Sequence, residues 1–244
     1  MKMLRAFRTA VGFLTILPVG PRDAAAADFG RAVGFFPAAG VLFGLTAWAG
    51  LHGLGRLLPL PVAAWLTVFA GVWLNGAIHW DGFADTADGL GGSSPERRLA
   101  IMKDSRLGAF GGMALIFLAL GKTLMLPQLL DQSPAMLVLV PVVSRWGMAC
   151  FMATQPSVSQ GLLRIFQLPN KTATLALATG LTLAAALWAG TGSLAVLGAA
   201  LAALALLAPF IRRRFGGITG DILGATNELL ELLGWAVLLV KFPG

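Results

Sequence analysis

PVAAWLTVFAGVWLNGAIHWDGFADTADGL, residues 61–90, passes from one solvent to another within a few positions. Residues 61–80 hold no Asp, Glu, Lys or Arg, and about 20 such residues suffice to cross a bilayer as a helix. Three carboxylates follow at once, Asp81, Asp85 and Asp88, with His79 just before them. The whole chain of 244 residues has only 11 acidic side chains, so placing three here calls for a physical reason. Spaced at i, i+4 and i+7, they project within an arc of about 60° if the span runs on helically into the cytosol. Like charges on one helix face repel, and a bound cation removes that penalty. Hard oxygen donors with no cysteine nearby favour Mg²⁺ or Mn²⁺ over zinc. Gly82 and Gly89 lack side chains, so a phosphate ligand could approach the backbone there.

The rest of the chain has the composition of a membrane protein. It is 57% hydrophobic and 12% charged, against roughly 25% charged in soluble domains. Apolar runs at 34–52, 61–80, 108–127, 135–154, 173–190, 193–210 and 223–242 predict an all-α polytopic bundle of about seven spans. Gly190-Thr191-Gly192 reads as a tight turn between the fifth and sixth of them. With the N-terminus in the cytoplasm, Lys2, Arg5, Arg8, Arg22, Arg31, Arg97, Arg98, Lys103, Arg106, Arg164, Lys171 and Arg212–Arg214 all lie on the inner side. Only Arg56 and Lys241 lie outside, a bias that fixes the orientation by the positive-inside rule. The net charge of +7 therefore belongs to membrane topology and not to nucleic-acid binding. Residues 1–244 read as a single integral membrane domain. Its first 20 residues form an amphipathic interfacial helix, since no cleavage site follows the apolar stretch. Cys150 is the sole cysteine, which excludes an intrachain disulfide.

Further charges fall near the same membrane face. In the loop 81–107, a helix is expected from a cap at Ser93 or Ser94, with Pro95 and Glu96 in its first turn. Lys103, Asp104 and Arg106 follow, a fourth carboxylate between two candidate phosphate-binding cations. GGITGDILGATNELLE, residues 216–231, brings Asp221, Asn227, Glu228 and Glu231. The two glutamates fall within a span, where an unpaired ion costs about 2.5–3.5 kcal/mol. Arg145 is the expected partner, and Lys122 a weaker one because a long side chain can snorkel outward. Under this topology seven of the 11 acids reach one membrane face, which describes a metal–diphosphate site. GxSxG, HExxH, CxxC and P-loop patterns are all missing from the sequence, so acyl-transfer, zinc and Walker-type chemistry have no basis.

HWDGFADTADGL (79–90), RRLAIMKDSRLGAFG (97–111), SRW (144–146), the 216–231 stretch and the early FLTILPV (13–19) together resemble the cobalamin synthase family, the adenosylcobinamide-GDP ribazoletransferases. The resemblance covers nearly the whole chain in order. It implies a Mg²⁺-dependent phosphotransferase of the inner membrane, with its active site facing the cytoplasm. The reaction implied is transfer of adenosylcobinamide phosphate from adenosylcobinamide-GDP to α-ribazole or its 5′-phosphate, releasing GMP. On that basis Asp81, Asp85, Asp88 and Asp104 hold one or two ions, and Asp88 takes the hydroxyl proton, with His79 a second catalytic candidate. Lys103, Arg106, Arg145, Asp221, Asn227 and Glu228 contact substrate. Homo-oligomerisation stays open. Two rivals remain: a CDP-alcohol phosphotransferase, which also clusters aspartates on a membrane helix, and a cation-coupled transporter using Glu228, Glu231, Arg145 and Lys122 as a relay. The first is disfavoured because Ala84 is followed by Asp85 and not by that family's arginine. The second is disfavoured because the acids crowd one membrane face.

Overall fold

A computed structural model describes residues 1–158, 165, 166, 168 and 170–240. Arg164 and Lys241, which entered the charge count, lie outside the described residues. Eleven α-helices are present among those described: α1 (Lys2–Leu14), α2 (Ala26–Ala32), α3 (Phe36–Ala49), α4 (Leu60–Leu74), α5 (Ile78–Gly89), α6 (Pro95–Met102), α7 (Ala109–Met125), α8 (Pro134–Thr154), α9 (Lys171–Ala189), α10 (Ser193–Phe215) and α11 (Gly220–Leu239). Among the described residues, six helical runs are long and apolar enough to cross a membrane: Ala26–Leu54, Ala109–Leu129, and α8 to α11. The chain is a multi-pass helical membrane protein.

The seventh expected span departs from a straight rod. α4 and α5 pass the same test only as a pair, and they meet at 90°. α4 stops at Leu74, and both Gly76 (φ 60°) and Ala77 (φ 61°) take left-handed backbone conformations. That conformation costs an L-residue such as alanine roughly 1–2 kcal/mol, so the bend is held by tertiary packing and not by local preference. α5 therefore does not continue span two. It lies as a separate short helix across α7 and α11.

α8 forms the centre of the bundle. Sixteen of its residues, from Ala135 to Phe151, are buried, as expected of a helix that is apolar all round. Gly40 and Gly44 of α3 face Pro141–Val142 and Val138, and a Cβ at either glycine would overlap the α8 backbone. This small-xxx-small pairing lets two membrane helices touch without side chains between them. α9 and α10 are the expected hairpin, turning at Gly190 with φ 90°. α1 is amphipathic, burying Ala6, Ala10 and Leu14. Its outward Arg5 pairs with Asp23 at 3.2 Å and Asp28 at 3.1 Å.

Candidate active site

α5 and α11 are held face to face by two glycines. A Cβ on Gly82 would lie 2.7 Å from the Asp221 Cα, and one on Gly224 3.0 Å from the His79 Cα. Gly89 likewise faces Met102 and Phe215. Gly82 and Gly89 thus permit close helix packing, which corrects the expectation that they leave backbone open to a phosphate. The packing has a direct electrostatic consequence. Asp81, Asp88 and Asp221 all act on Asp85 through their charges, and Asp81 acts on Asp221. Acidic residues some 140 positions apart form one cluster.

Asp88 is fixed differently from its neighbours. Its two carboxylate oxygens accept the backbone N–H groups of Gly108 and Gly111, both at 2.8 Å. These are donors of the first turn of α7 that have no partner within the helix, and the negative charge suits a helix N-terminus. Side chains at Gly108 or Gly111 would collide with that carboxylate. Asp88→Ala is expected to destabilise the start of α7 by about 1–2 kcal/mol, the usual cost of losing a cap. Hydrogen exchange at the Gly108 and Gly111 amides, faster in the variant, is the measurement.

Asp104 stands apart from the cluster. It is half-buried and receives a bidentate bond from Arg106, with Nη2 at 2.6 Å and Nε at 3.0 Å. The guanidinium and the Arg106 backbone N–H hold its carboxyl at about 2. α6 is capped by Ser94, whose hydroxyl accepts the Arg97 N–H at 3.2 Å. That resolves the choice between Ser93 and Ser94.

A cavity of about 580 Å³ opens beside Asp81 and Asp221. His79, Lys103 and Thr219 also line it, together with aromatic and thioether side chains. Phe13, Met148, Met152 and Phe166 on its wall were not expected from sequence. No periodic pattern marks them, and they come together only because α1, α8 and Phe166 converge. His79 is 2% exposed, and neither of its ring nitrogens has a hydrogen-bond partner among the described residues. Its Nδ1 stands 3.7 Å from Glu228 Oε1, too far for a hydrogen bond.

Two turns deeper, four charges are buried together. Lys122 pairs with Glu228, and with Glu231 at 2.7 Å. Arg145 pairs with Glu231 and lies 4.0 Å over the Phe43 ring. Asn227 donates to Glu228 at 3.1 Å. Lys122, expected to be the weaker partner, bridges both glutamates, because its position in α7 points into the bundle and leaves no route outward. The placement also corrects the substrate-binding expectation for Arg145, Asn227 and Glu228. They are 1%, 0% and 1% exposed and do not line the large cavity; Arg145 pairs with Glu231, and Glu228 with Lys122 and Asn227. Arg106 is likewise off that wall, whereas Lys103 and Asp221 are on it. The seven acids therefore divide into a cluster of four, a deep pair, and Asp104 with its arginine.

The anionic donors lining the cavity, Asp81 and Asp221, are hard oxygen. Among the described residues, no three His, Cys, Asp or Glu side chains converge closely enough to hold a metal alone. Mg²⁺ characteristically uses one or two carboxylates and fills its other positions with water and substrate phosphate. Asp81 and Asp221 fit that pattern, and an all-protein cage of Asp81, Asp85, Asp88 and Asp104 does not.

Residues 6–239 match the profile of the cobalamin-5-phosphate synthase family. The chain belongs to this family. A relative from Polaromonas sp., an adenosylcobinamide-GDP ribazoletransferase, is 39% identical over 98% of this chain and 98% of its own length. Proteins of the same name from Desulforamulus reducens and Escherichia coli are 36% and 34% identical, covering 98% and 97% of this chain and 96% and 100% of the relatives. No solved structure matches the chain.

Proposed function

We propose that this membrane transferase moves the phosphorylated adenosylcobinamide group of adenosylcobinamide-GDP onto α-ribazole or its 5′-phosphate, releasing GMP. The observation that carries the reading is the meeting of Asp81 and Asp221, from two helices, on the wall of one substrate-sized cavity in a chain of this family. The inner-membrane location and the cytoplasmic orientation of this end rest on the distribution of Lys and Arg.

Asp81 and Asp221 would hold Mg²⁺ against the diphosphate, and Lys103 would bind a phosphate oxygen. When bound, the ion offsets the negative charge that builds as the bond between phosphorus and the GMP oxygen breaks. The acceptor hydroxyl forms the new bond to phosphorus and loses its proton to a carboxylate. Asp88, with both oxygens already accepting N–H bonds, is poorly suited to that task, which moves it to Asp85. Lys122, Arg145, Glu228 and Glu231 support the site by fixing α7, α8 and α11 around it. The neutral balance of that set and its depth argue for a scaffold over a transport relay.

The test is to incubate membranes containing the protein with Mg²⁺, adenosylcobinamide-GDP and α-ribazole 5′-phosphate. GMP release that requires both substrates is the expected result. Turnover of a CDP-alcohol in place of these substrates would instead favour the rival phosphotransferase.

A further inference from the structure

α5 has two faces with different surroundings. Asp81, Asp85 and Asp88 share one of them. At about 100° of turn per residue, Phe83 and the residues at i+3, i+4 and i+7 from it, the last being the cap residue Leu90, lie on the opposite face. These four line a groove of about 190 Å³ that shares no lining residue with the large cavity. α10 supplies Leu207, Phe210 and Ile211, and α11 supplies the same i, i+3, i+4, i+7 set counted from Ile222. No charged side chain lines the groove among the described residues. Leu90, Phe210 and Leu229, one from each helix, are 41%, 40% and 39% exposed, so the groove is open to the outside. α10 is apolar and long enough to cross a membrane, and the apolar material around such a helix is lipid chain.

The mouth of the groove is cationic. Arg214 continues the face of α10 that carries Leu207, Phe210 and Ile211, at i+7, i+4 and i+3, and its guanidinium carbon lies 5.9 Å from the Phe210 ring centroid. Arg213 is its neighbour, and both side chains are exposed. Among the described residues neither pairs with a carboxylate. The Arg98 guanidinium adds a further positive charge, donating to the Arg214 carbonyl at 3.1 Å. From Arg214 back to Leu207 the helix rises about 10 Å, which fits within one leaflet of about 15 Å, half the hydrocarbon core. Arginines at headgroup level above an apolar groove match a phosphate carried on a lipid tail. A zwitterionic headgroup brings its own ammonium against these cations, and an anionic one does not.

We propose that this groove binds one acyl chain of an anionic phospholipid, with the lipid phosphate on Arg213 and Arg214. The bound chain packs against the back of α5, so the lipid braces the helix that carries Asp81 and Asp85. This lipid site stands or falls independently of the transfer reaction.

Native mass spectrometry of the full-length protein released from detergent, with equimolar phosphatidylglycerol and phosphatidylcholine of identical chains, reads the first lipid bound. Each basic side chain at a membrane surface favours an anionic lipid severalfold, so wild type is expected to prefer phosphatidylglycerol by about tenfold. Arg213→Gln combined with Arg214→Gln, both at exposed positions, is expected to bring the two lipids level. Ala87→Phe fills the groove and is expected to lower the binding of both lipids together. The arginine pair decides the matter even where Ala87→Phe fails to fold. Equal binding of the two lipids to wild type would overturn the lipid site, as would a preference that survives the arginine pair. Undiminished lipid binding by a folded Ala87→Phe would place the lipid elsewhere and overturn it too. Competition by glycerol 3-phosphate as strong as by the whole lipid would make the arginines a site for free phosphate. A dimer lost in Ala87→Phe, with no lipid preference in wild type, would put a second copy of the chain in the groove. Either of these last results overturns the assignment.

Discussion

Asp81→Asn and Asp221→Asn each lower GMP release by about 10²–10³-fold, the scale of losing one preorganised electrostatic contact to the reacting group. Neither variant unfolds. Removing one member of a like-charged cluster relieves repulsion, so thermal stability without metal stays level or rises. This opposition of activity and stability separates a ligand-binding carboxylate from a structural one. Asp88→Ala moves the other way, losing stability through the start of α7 because its charge is already satisfied by N–H donors. Rates measured with saturating substrates, together with melting curves in detergent, check both halves. An Asp81→Asn variant that is less stable but fully active would make Asp81 a structural carboxylate and remove it from the ion's surroundings.

Lys122→Met loses stability by about 3–5 kcal/mol, the usual cost of removing one partner from a buried ion pair. In the native protein two cations, Lys122 and Arg145, balance two anions, Glu228 and Glu231. Without Lys122, Arg145 alone faces both carboxylates and one charge is left uncompensated. Lys122→Met combined with Glu228→Gln restores the balance, and the double variant recovers most of the stability lost by the single one. The folded fraction in detergent is the readout. A double variant less stable than Lys122→Met would contradict charge balance as the cause.

Much of this architecture can be read from residue order because lipid imposes strict rules. Apolar length marks the spans, and the i, i+4, i+7 spacing of Asp81, Asp85 and Asp88 survives as one face of α5. That Glu228 and Glu231 need buried partners follows from the cost of charge in hydrocarbon. The choice of Lys122 does not follow, because snorkelling depends on which way a helix is turned, and neighbours set that. The bend at Asn75–Ala77 is equally hidden. Ala77 has no preference for a left-handed backbone, so only contacts from distant helices hold it there. Gly82 and Gly89 are open positions in one dimension, whereas in three they are filled by Asp221, Met102 and Phe215. The cavity is the least legible feature of all. Its apolar lining draws one or two residues each from α1, α3 and α8, each of which reads as ordinary core in its own segment.

Binding of Mn²⁺, followed by electron paramagnetic resonance in the presence of GDP, interrogates the joining of α5 and α11 most directly. Wild type should show saturable binding that is lost in Asp81→Asn and lost equally in Asp221→Asn, because each helix supplies one side of the same ion's surroundings. Retention of full Mn²⁺ affinity in either variant would mean that the two helices do not share an ion, and the metal–diphosphate site would fall with it.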